Sequence, residues 1–213
     1  MSAVAVVTAK HFSEAKQRMA DSLDPELKRE LVEAMLADVL EAVCDARMID
    51  TTVVVTGEPA AAALAESSGA EVVPDPGGIG HSAAALLGIN RALDLGAETV
   101  ILVPGDCPLL KPRELDHLLT GVPSPFVTVV PDRHGTGTNS LVLSPPGAIE
   151  PSFGEGSCRR HLGLAREAGV PGVTEEVPGL ALDLDTPADI VALTTRLAAG
   201  PGGARRTASV LGI

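Results

Sequence analysis

Aromatic residues are almost absent from this chain of 213 residues, which has three Phe and neither Trp nor Tyr. Proteins that hold single-stranded nucleic acid stack its bases on aromatic rings, so that class is poorly served here. Positive charge is also scarce: 16 Lys and Arg stand against 28 Asp and Glu, a net charge of −12. Tracking a phosphate backbone needs the opposite balance, and no nucleic-acid polymer is expected as a partner. Cysteine is limited to Cys44, Cys107 and Cys158. This odd number, at wide spacings and without a CxxC or Cys/His pattern, argues against a disulfide framework and against zinc. Reduced, buried thiols in a cytoplasmic protein are the expectation. Long apolar runs are missing too. Ser2 to Ala9 is too short to span a bilayer and lacks the basic start and cleavage site of a signal peptide, so no membrane association is expected. A Walker A loop, a strand-linked GxGxxG and a GxSxG elbow are all absent, which disfavours P-loop NTPase, dinucleotide-binding and acyl-transfer readings.

What is present is an alternation of short apolar runs and amphipathic helices. Ala3 to Val7 is a continuous apolar run suited to a strand covered on both faces. Asp24-Pro25-Glu26 reads as an N-cap with proline at the first helical position. Leu27, Leu31, Met35, Val39 and Val43 continue it as a helical stripe. Further strands are expected at Thr51–Thr56, Glu71–Val73, Thr99–Val103, Phe126–Val130 and Asn139–Leu143, with short ones near Val173–Val177 and Leu180–Asp183. Helices are expected from Pro59 to about Ser68, Ser82 to Leu95, Pro112 to Leu119 and Ser157 to Ala168. A last one opens at Thr186-Pro187, with Asp189 three residues past the cap. This pattern predicts one α/β domain with a mostly parallel sheet. Residues 1–199 would form it, and Gly/Pro-rich residues 200–213 would be a C-terminal tail.

In such sheets ligands bind beyond the carboxyl ends of the strands. Thr8-Ala9-Lys10, the Asp75–Gly80 loop (DPGGIG), Gly105-Asp106 and Pro131–Thr138 (PDRHGTGT) all follow strands. Asp106 ends a buried strand, where an unpartnered carboxylate is costly, and Asp183 and Asp185 end another segment in the same way. Carboxylates converging from two strand ends can hold Mg²⁺ together with phosphate oxygens. Helix capping is the alternative for Asp185 and Asp189. Six of the cations, Lys10, Lys16, Arg18, Arg133, Arg159 and Arg160, fall in suspected site loops. Glycines accompany them in GTGT (135–138) and GEGS (154–157), where bare backbone N–H groups can approach an anion, although plain turn chemistry would use the same residues. His81, His134 and His161 are not spaced as metal ligands; His134 and His161 could lie at the surface or contact phosphate. Metal-assisted phosphoryl or nucleotidyl transfer is the chemistry that remains.

Lys10 with Glu14-Ala15-Lys16-Gln17-Arg18, Gly105-Asp106-Cys107-Pro108, the 132–139 loop DRHGTGTN, Phe153-Gly154 with Ser157, and Asp183-Leu184-Asp185-Thr186-Pro187 resemble, in the same order, the 2-phospholactate/phosphoenolpyruvate guanylyltransferases of coenzyme F-420 biosynthesis. The resemblance runs from about residue 4 to residue 197. It implies a single-domain nucleotidyltransferase fold of glycosyltransferase-A type, with a mixed, mostly parallel sheet flanked by helices. It implies that a phosphorylated C3 acid, phosphoenolpyruvate or 2-phospho-L-lactate with the former expected, attacks the α-phosphate of GTP with Mg²⁺ as cofactor. Carried over by position, Lys10, Lys16, Arg18 and Asp106 would serve catalysis, and Asp106, Asp183 and Asp185 the metal. Thr138, Gly154, Ser157 and Arg133 would hold the acid, and Thr8, Gly78, Gly80 and Ser82 the nucleotide. The chain departs from the family's Leu-Asn-x-Ala helix start, having Gly80-His81-Ser82-Ala83-Ala84, and this bears on base recognition. Two other readings stand beside this one: a molybdenum-cofactor or sugar-phosphate nucleotidyltransferase of the same fold, and a non-catalytic nucleotide-sensing module. The former usually carries an LAGGxxxRMG-type opening, which this chain lacks. A homodimer and hand-over of the product to a downstream transferase are both compatible with the sequence, which demands neither.

Overall fold

A computed structural model describes residues 2–213 except Lys10, His11, 13–23, Gly78, Ile79, Asp185 and 200–202. Strands β1 (Ala3–Ala9), β2 (Thr51–Thr56), β3 (Glu71–Pro74), β4 (Thr99–Pro104), β5 (Phe126–Pro131), β6 (Thr138–Ser144) and β7 (Gly172–Thr174) form one sheet. The helices are α1 (Pro25–Cys44), α2 (Pro59–Ser67), α3 (His81–Asp94), α4 (Pro112–Leu119), α5 (Ser157–Glu167), α6 (Pro187–Ala199) and α7 (Arg205–Leu211). The strand order is β3-β2-β1-β4-β6-β5-β7. β6 runs antiparallel to both β4 and β5, and the remaining pairs are parallel.

The apolar runs form strands because both faces of the sheet are covered. Along β1, Ala3, Ala5 and Val7 face a core built with Leu31, Met35 and Val39 of α1, while Val4 and Val6 face Ala85 and Ile89 of α3. Period-two alternation thus divides one unbroken apolar run between two cores. Helix α3 lies so close to the sheet that a Cβ on Gly88 would sit 2.1 Å from Val6 Cγ1. Helix starts follow their caps. The Asp24 carboxylate accepts from Glu26 N at 2.9 Å ahead of Pro25. Asp189 Oδ2 accepts from Thr186 N at 2.7 Å and from Thr186 Oγ1 at 2.8 Å, the reciprocal bond of a capping box.

Three expectations need correction. Leu180–Asp183 is not a strand. Its leucines do alternate into the core, with Leu180, Leu182 and Leu184 all buried. Among the described residues no strand pairs with the segment, and the carbonyl of Leu180 accepts instead from Asn139 Nδ2 at 2.6 Å. Cys44 is exposed, whereas Cys107 and Cys158 are buried. The C-terminal residues, expected as a tail, contain helix α7 docked on α1. Asp38, buried on α1, accepts from Arg206 N (3.1 Å), Thr207 N (2.9 Å) and Thr207 Oγ1 (2.7 Å). Arg205 and Arg206 both pair with Glu41. Seven residues would not hold a helix alone; a buried carboxylate on another helix fixes this one.

Candidate active site

The topology places the suspected loops along one edge of the sheet. Thr8 of β1 pairs with Pro104 of β4, and β6, being reversed, brings its first residue, Thr138, beside Pro131 at the end of β5. The carboxyl ends of β1, β4 and β5 and the amino end of β6 therefore share this edge. Gly105 permits the close approach: a Cβ there would lie 3.2 Å from both Thr8 O and Leu36 Cδ1.

Asp106 and Asp183 reach this edge from segments 77 residues apart in sequence that are clipped together, with Leu184 N donating to Asp106 O at 3.3 Å. Both aspartates are half-buried. Two hard carboxylates on adjoining segments are the donor type that a divalent cation bound to phosphates requires. Among the described residues no cluster of three or more potential ligands occurs. Asp185, the third expected ligand, lies outside the described residues, as do Lys10, Lys16, Arg18 and Gly78.

The loop after β5 organises itself. The Asp132 carboxylate accepts from His134 N at 3.2 Å and Thr136 N at 2.9 Å, an Asx-type turn. Gly137 fits because a Cβ would come within 2.7 Å of Asp132 Oδ2. Cys158 N donates to Thr136 O at 3.1 Å, setting this turn against the start of α5. Arg133, expected at the acid, forms an ion pair with Asp189. The Asp189 side chain is 1% exposed, and a carboxylate so buried needs a cation nearby. His134 is exposed and accepts from Arg133 Nε at 3.1 Å.

The loop before α5 is held by a second cation. Arg160 Nε donates to Ser152 O (3.1 Å) and Ser152 Oγ (2.9 Å), Nη1 to Glu155 O (3.0 Å), and Nη2 to Ser152 O (2.9 Å) and Phe153 O (3.2 Å). Arg160 is thus a clamp on residues 152–155. The loop needs glycine at Gly154 (φ +112°) and at Gly156 (φ +67°), which precedes α5. Ser157, the first residue of α5, is 1% exposed, and its hydroxyl has no hydrogen-bond partner among the described residues. The Ser157 and Cys158 N–H groups already donate to Gly154 O and Thr136 O, both at 3.1 Å, so what is left open to an anionic oxygen in this first turn is the buried hydroxyl itself. Thr136, Glu155, Gly156, Arg159 and Arg160 line a groove of 560 Å³ on this side.

Two histidines passed over as ligands connect the halves of the site. His81 opens α3, its Nε2 3.1 Å from Thr8 Oγ1. Its ring stacks on Phe153, with centroids 4.1 Å apart and planes at 11°. Ser82, expected at the nucleotide, accepts from Phe153 N at 2.9 Å, so the start of α3 also anchors the loop before α5. Gly80 caps α3 with φ +83°. His161 is fully buried rather than at the surface. Its Nδ1 lies 3.0 Å from Thr138 Oγ1, Ser152 N donates to its Nε2 at 2.8 Å, and Phe153 meets its ring edge-on at 5.3 Å. Burial, with smaller contributions from the Arg160 and His81 charges, pushes its pKa down to about 4. The sequence signalled this network only through the His81 departure and the spacing of His161 four residues after Ser157.

Residues 3–197 match the family model described as "Guanylyl transferase CofC like". The phosphoenolpyruvate guanylyltransferase of Conexibacter woesei is 42% identical, with 99% of this chain and 96% of the relative covered. That of Sphaerobacter thermophilus is 40% identical over 89% and 91%. Among solved structures, a nucleotidyl transferase from Methanothermobacter thermautotroptrophicus superposes with a TM-score of 0.71 at 22% identity, covering 93% of this chain and 98% of that one. A CMP:2-keto-3-deoxy-manno-octonic acid synthetase complexed with CTP gives 0.61 at 14% identity, covering 93% and 99%. These structures share the fold.

Proposed function

This chain belongs to the CofC-like guanylyl transferase family, and from that premise we propose that it transfers GMP from GTP to phosphoenolpyruvate, for coenzyme F-420 biosynthesis. An oxygen of the acid's phosphate attacks the α-phosphorus of GTP. The bond from the α-phosphorus to the bridging oxygen breaks, and pyrophosphate leaves with that oxygen and its electron pair. The product is enolpyruvyl-diphospho-guanosine. No protein nucleophile is needed, in keeping with the missing serine or cysteine elbow.

The observation that carries the acid site is the partnerless, buried hydroxyl of Ser157 in the first turn of α5. A carboxylate or phosphate oxygen of the acceptor completes its hydrogen bonding, and Thr138 and the backbone around Gly154 flank the same anion. Thr8 and Gly80 border the nucleotide, and the family motif that carries Lys10, Lys16 and Arg18 supplies cations for its triphosphate. Asp106, Asp183 and Asp185 would hold Mg²⁺, which when bound offsets the repulsion between the two phosphates. Arg133 and Arg160 belong to the frame, through Asp189 and the 152–155 loop. The net charge of −12 does not oppose this reading, because what a small anion meets is the local set of donors at the strand ends.

The test is pyrophosphate release by the purified chain with Mg²⁺ and each nucleoside triphosphate, crossed with phosphoenolpyruvate, 2-phospho-L-lactate and 3-phosphoglycerate. Release is expected with GTP and phosphoenolpyruvate. Release with none of the three acids would overturn the reading, and a preference for another acid would reassign the acceptor.

A further inference from the structure

We propose that His161 is the positioning residue of the acid site: a fixed tautomer makes the Thr138 hydroxyl a donor towards the acceptor anion. The inference rests on the reading above that Thr138 meets the acid. Ser152 N is a donor only, and it points at His161 Nε2 from 2.8 Å. Nε2 must therefore carry the lone pair, and the ring proton must sit on Nδ1. Nδ1–H then donates to Thr138 Oγ1 at 3.0 Å. A hydroxyl that accepts from Nδ1–H keeps its own proton for another partner, and among the described residues nothing takes it. Thr138 is itself buried, and in a site for a phosphorylated acid that proton is available to an anionic oxygen. Were the tautomer reversed, the hydroxyl would donate to Nδ1 and present its lone pairs to the anion.

The surroundings hold the ring in this state. His161 has no exposed surface, and its depressed pKa keeps it neutral at physiological pH. Phe153 packs edge-on against it, and Phe153 is fixed in turn by the His81 stack, by Ser82 Oγ and by Arg160. His161 therefore joins the two walls of the acid site, Thr138 at the start of β6 and the 152–157 loop, without touching the anion itself.

Conservative variants separate polarisation of Thr138 from simple packing. His161→Asn keeps an amide donor near the position of Nδ1 and loses the Nε2 acceptor, whereas His161→Gln keeps an acceptor near Nε2 and loses the Nδ1 donor. His161→Gln and Thr138→Val should each raise KM for phosphoenolpyruvate about tenfold, the scale of one hydrogen bond to a charged group, with KM for GTP unchanged. His161→Asn should stay within about threefold of wild type. Adding His161→Gln to Thr138→Val should change nothing further, since both remove the same donor. Equal damage from Asn and Gln, or additive losses in the double variant, would reduce His161 to a packing residue. Nitrogen NMR of the labelled wild-type protein reads the tautomer without any assay of activity and regardless of whether the variants fold. Protonated Nδ1 with bare Nε2 is expected, and protonated Nε2 overturns the proposal. Inactivity of the wild type with every acid would count against the proposed reaction and leave the tautomer result standing.

Discussion

Substituting Asp38 by alanine should detach the C-terminal helix from α1 and lower stability by several kcal/mol. The Asp38 side chain is 3% exposed and receives three hydrogen bonds from Arg206 and Thr207, as well as the Arg206 guanidinium at 3.5 Å. Hydrogen bonds to a charged group contribute about 1.5–3 kcal/mol each, but bonds sharing one carboxylate do not add fully. Breaking a buried ionic network costs about 3–5 kcal/mol. An expected loss of about 3–4 kcal/mol follows, since Arg206 keeps Glu41. For a chain of this size each kcal/mol shifts Tm by about 2–4 °C, so Tm should fall by about 6–16 °C. With neither Trp nor Tyr present, urea and thermal unfolding should be followed by far-ultraviolet circular dichroism rather than intrinsic fluorescence. Deleting residues 204–213 should cost a similar amount, and in the shortened chain Asp38→Ala should be nearly neutral because the carboxylate then faces water. Activity should fall in the shortened chain as well, because Ala204 N donates to Pro108 O at 2.9 Å, two residues beyond Asp106. A loss below about 1 kcal/mol for Asp38→Ala, or an undiminished effect in the shortened chain, would refute the assignment of α7 to this carboxylate.

Gly88→Ala drives a methyl to 2.1 Å from Val6 Cγ1 and should destabilise by about 1–3 kcal/mol, read in urea, despite alanine's better helix propensity. Arg133→Ala leaves the buried Asp189 carboxylate without its guanidinium and should cost about 2–4 kcal/mol; a change confined to KM for the acid would return Arg133 to the substrate. His161, with a folded pKa of about 4 against an ordinary value of 6.5, binds fewer protons folded than unfolded. Its contribution is therefore complete above pH 6.5 and declines as pH falls towards 4. The wild type should lose about 2–3 kcal/mol more than His161→Gln across that window, after discounting the screened Arg160 charge. Asp106→Asn should abolish pyrophosphate release with an unchanged dichroism spectrum, whereas retained turnover would remove Asp106 from the metal site.

Most elements were legible in the sequence because their causes are local. Thr51–Thr56 and Pro112–Leu119 match the expected bounds, the first as an apolar run buried on both faces and the second as a proline-started amphipathic helix. The family was legible as well, since the motifs of residues 105–108, 132–139, 153–157 and 183–187 stand in order. Leu180–Asp183 was misread because alternation reports an extended backbone and says nothing about its partner, here Asn139. Helix α7 was missed because its stabilising carboxylate lies 168 residues earlier.

The sequence by itself determined the α/β alternation, the family and the residue types on offer to an anion or a cation at the strand ends. Each of these depends on side chains within a few positions of one another or on a motif order that survives without coordinates. Only the tertiary structure decided which polar groups serve the frame and which remain for a ligand. Arg133 and Arg160 are cations in glycine-rich loops, indistinguishable by composition from anion contacts, until Asp189 and the carbonyls of residues 152–155 are seen to hold them. The orphaned hydroxyl of Ser157 and the His161 tautomer likewise exist only once β6, α3 and α5 converge on one edge of the sheet. A hydrogen bond's direction is set by the donors around it in space, and those come from distant parts of the chain.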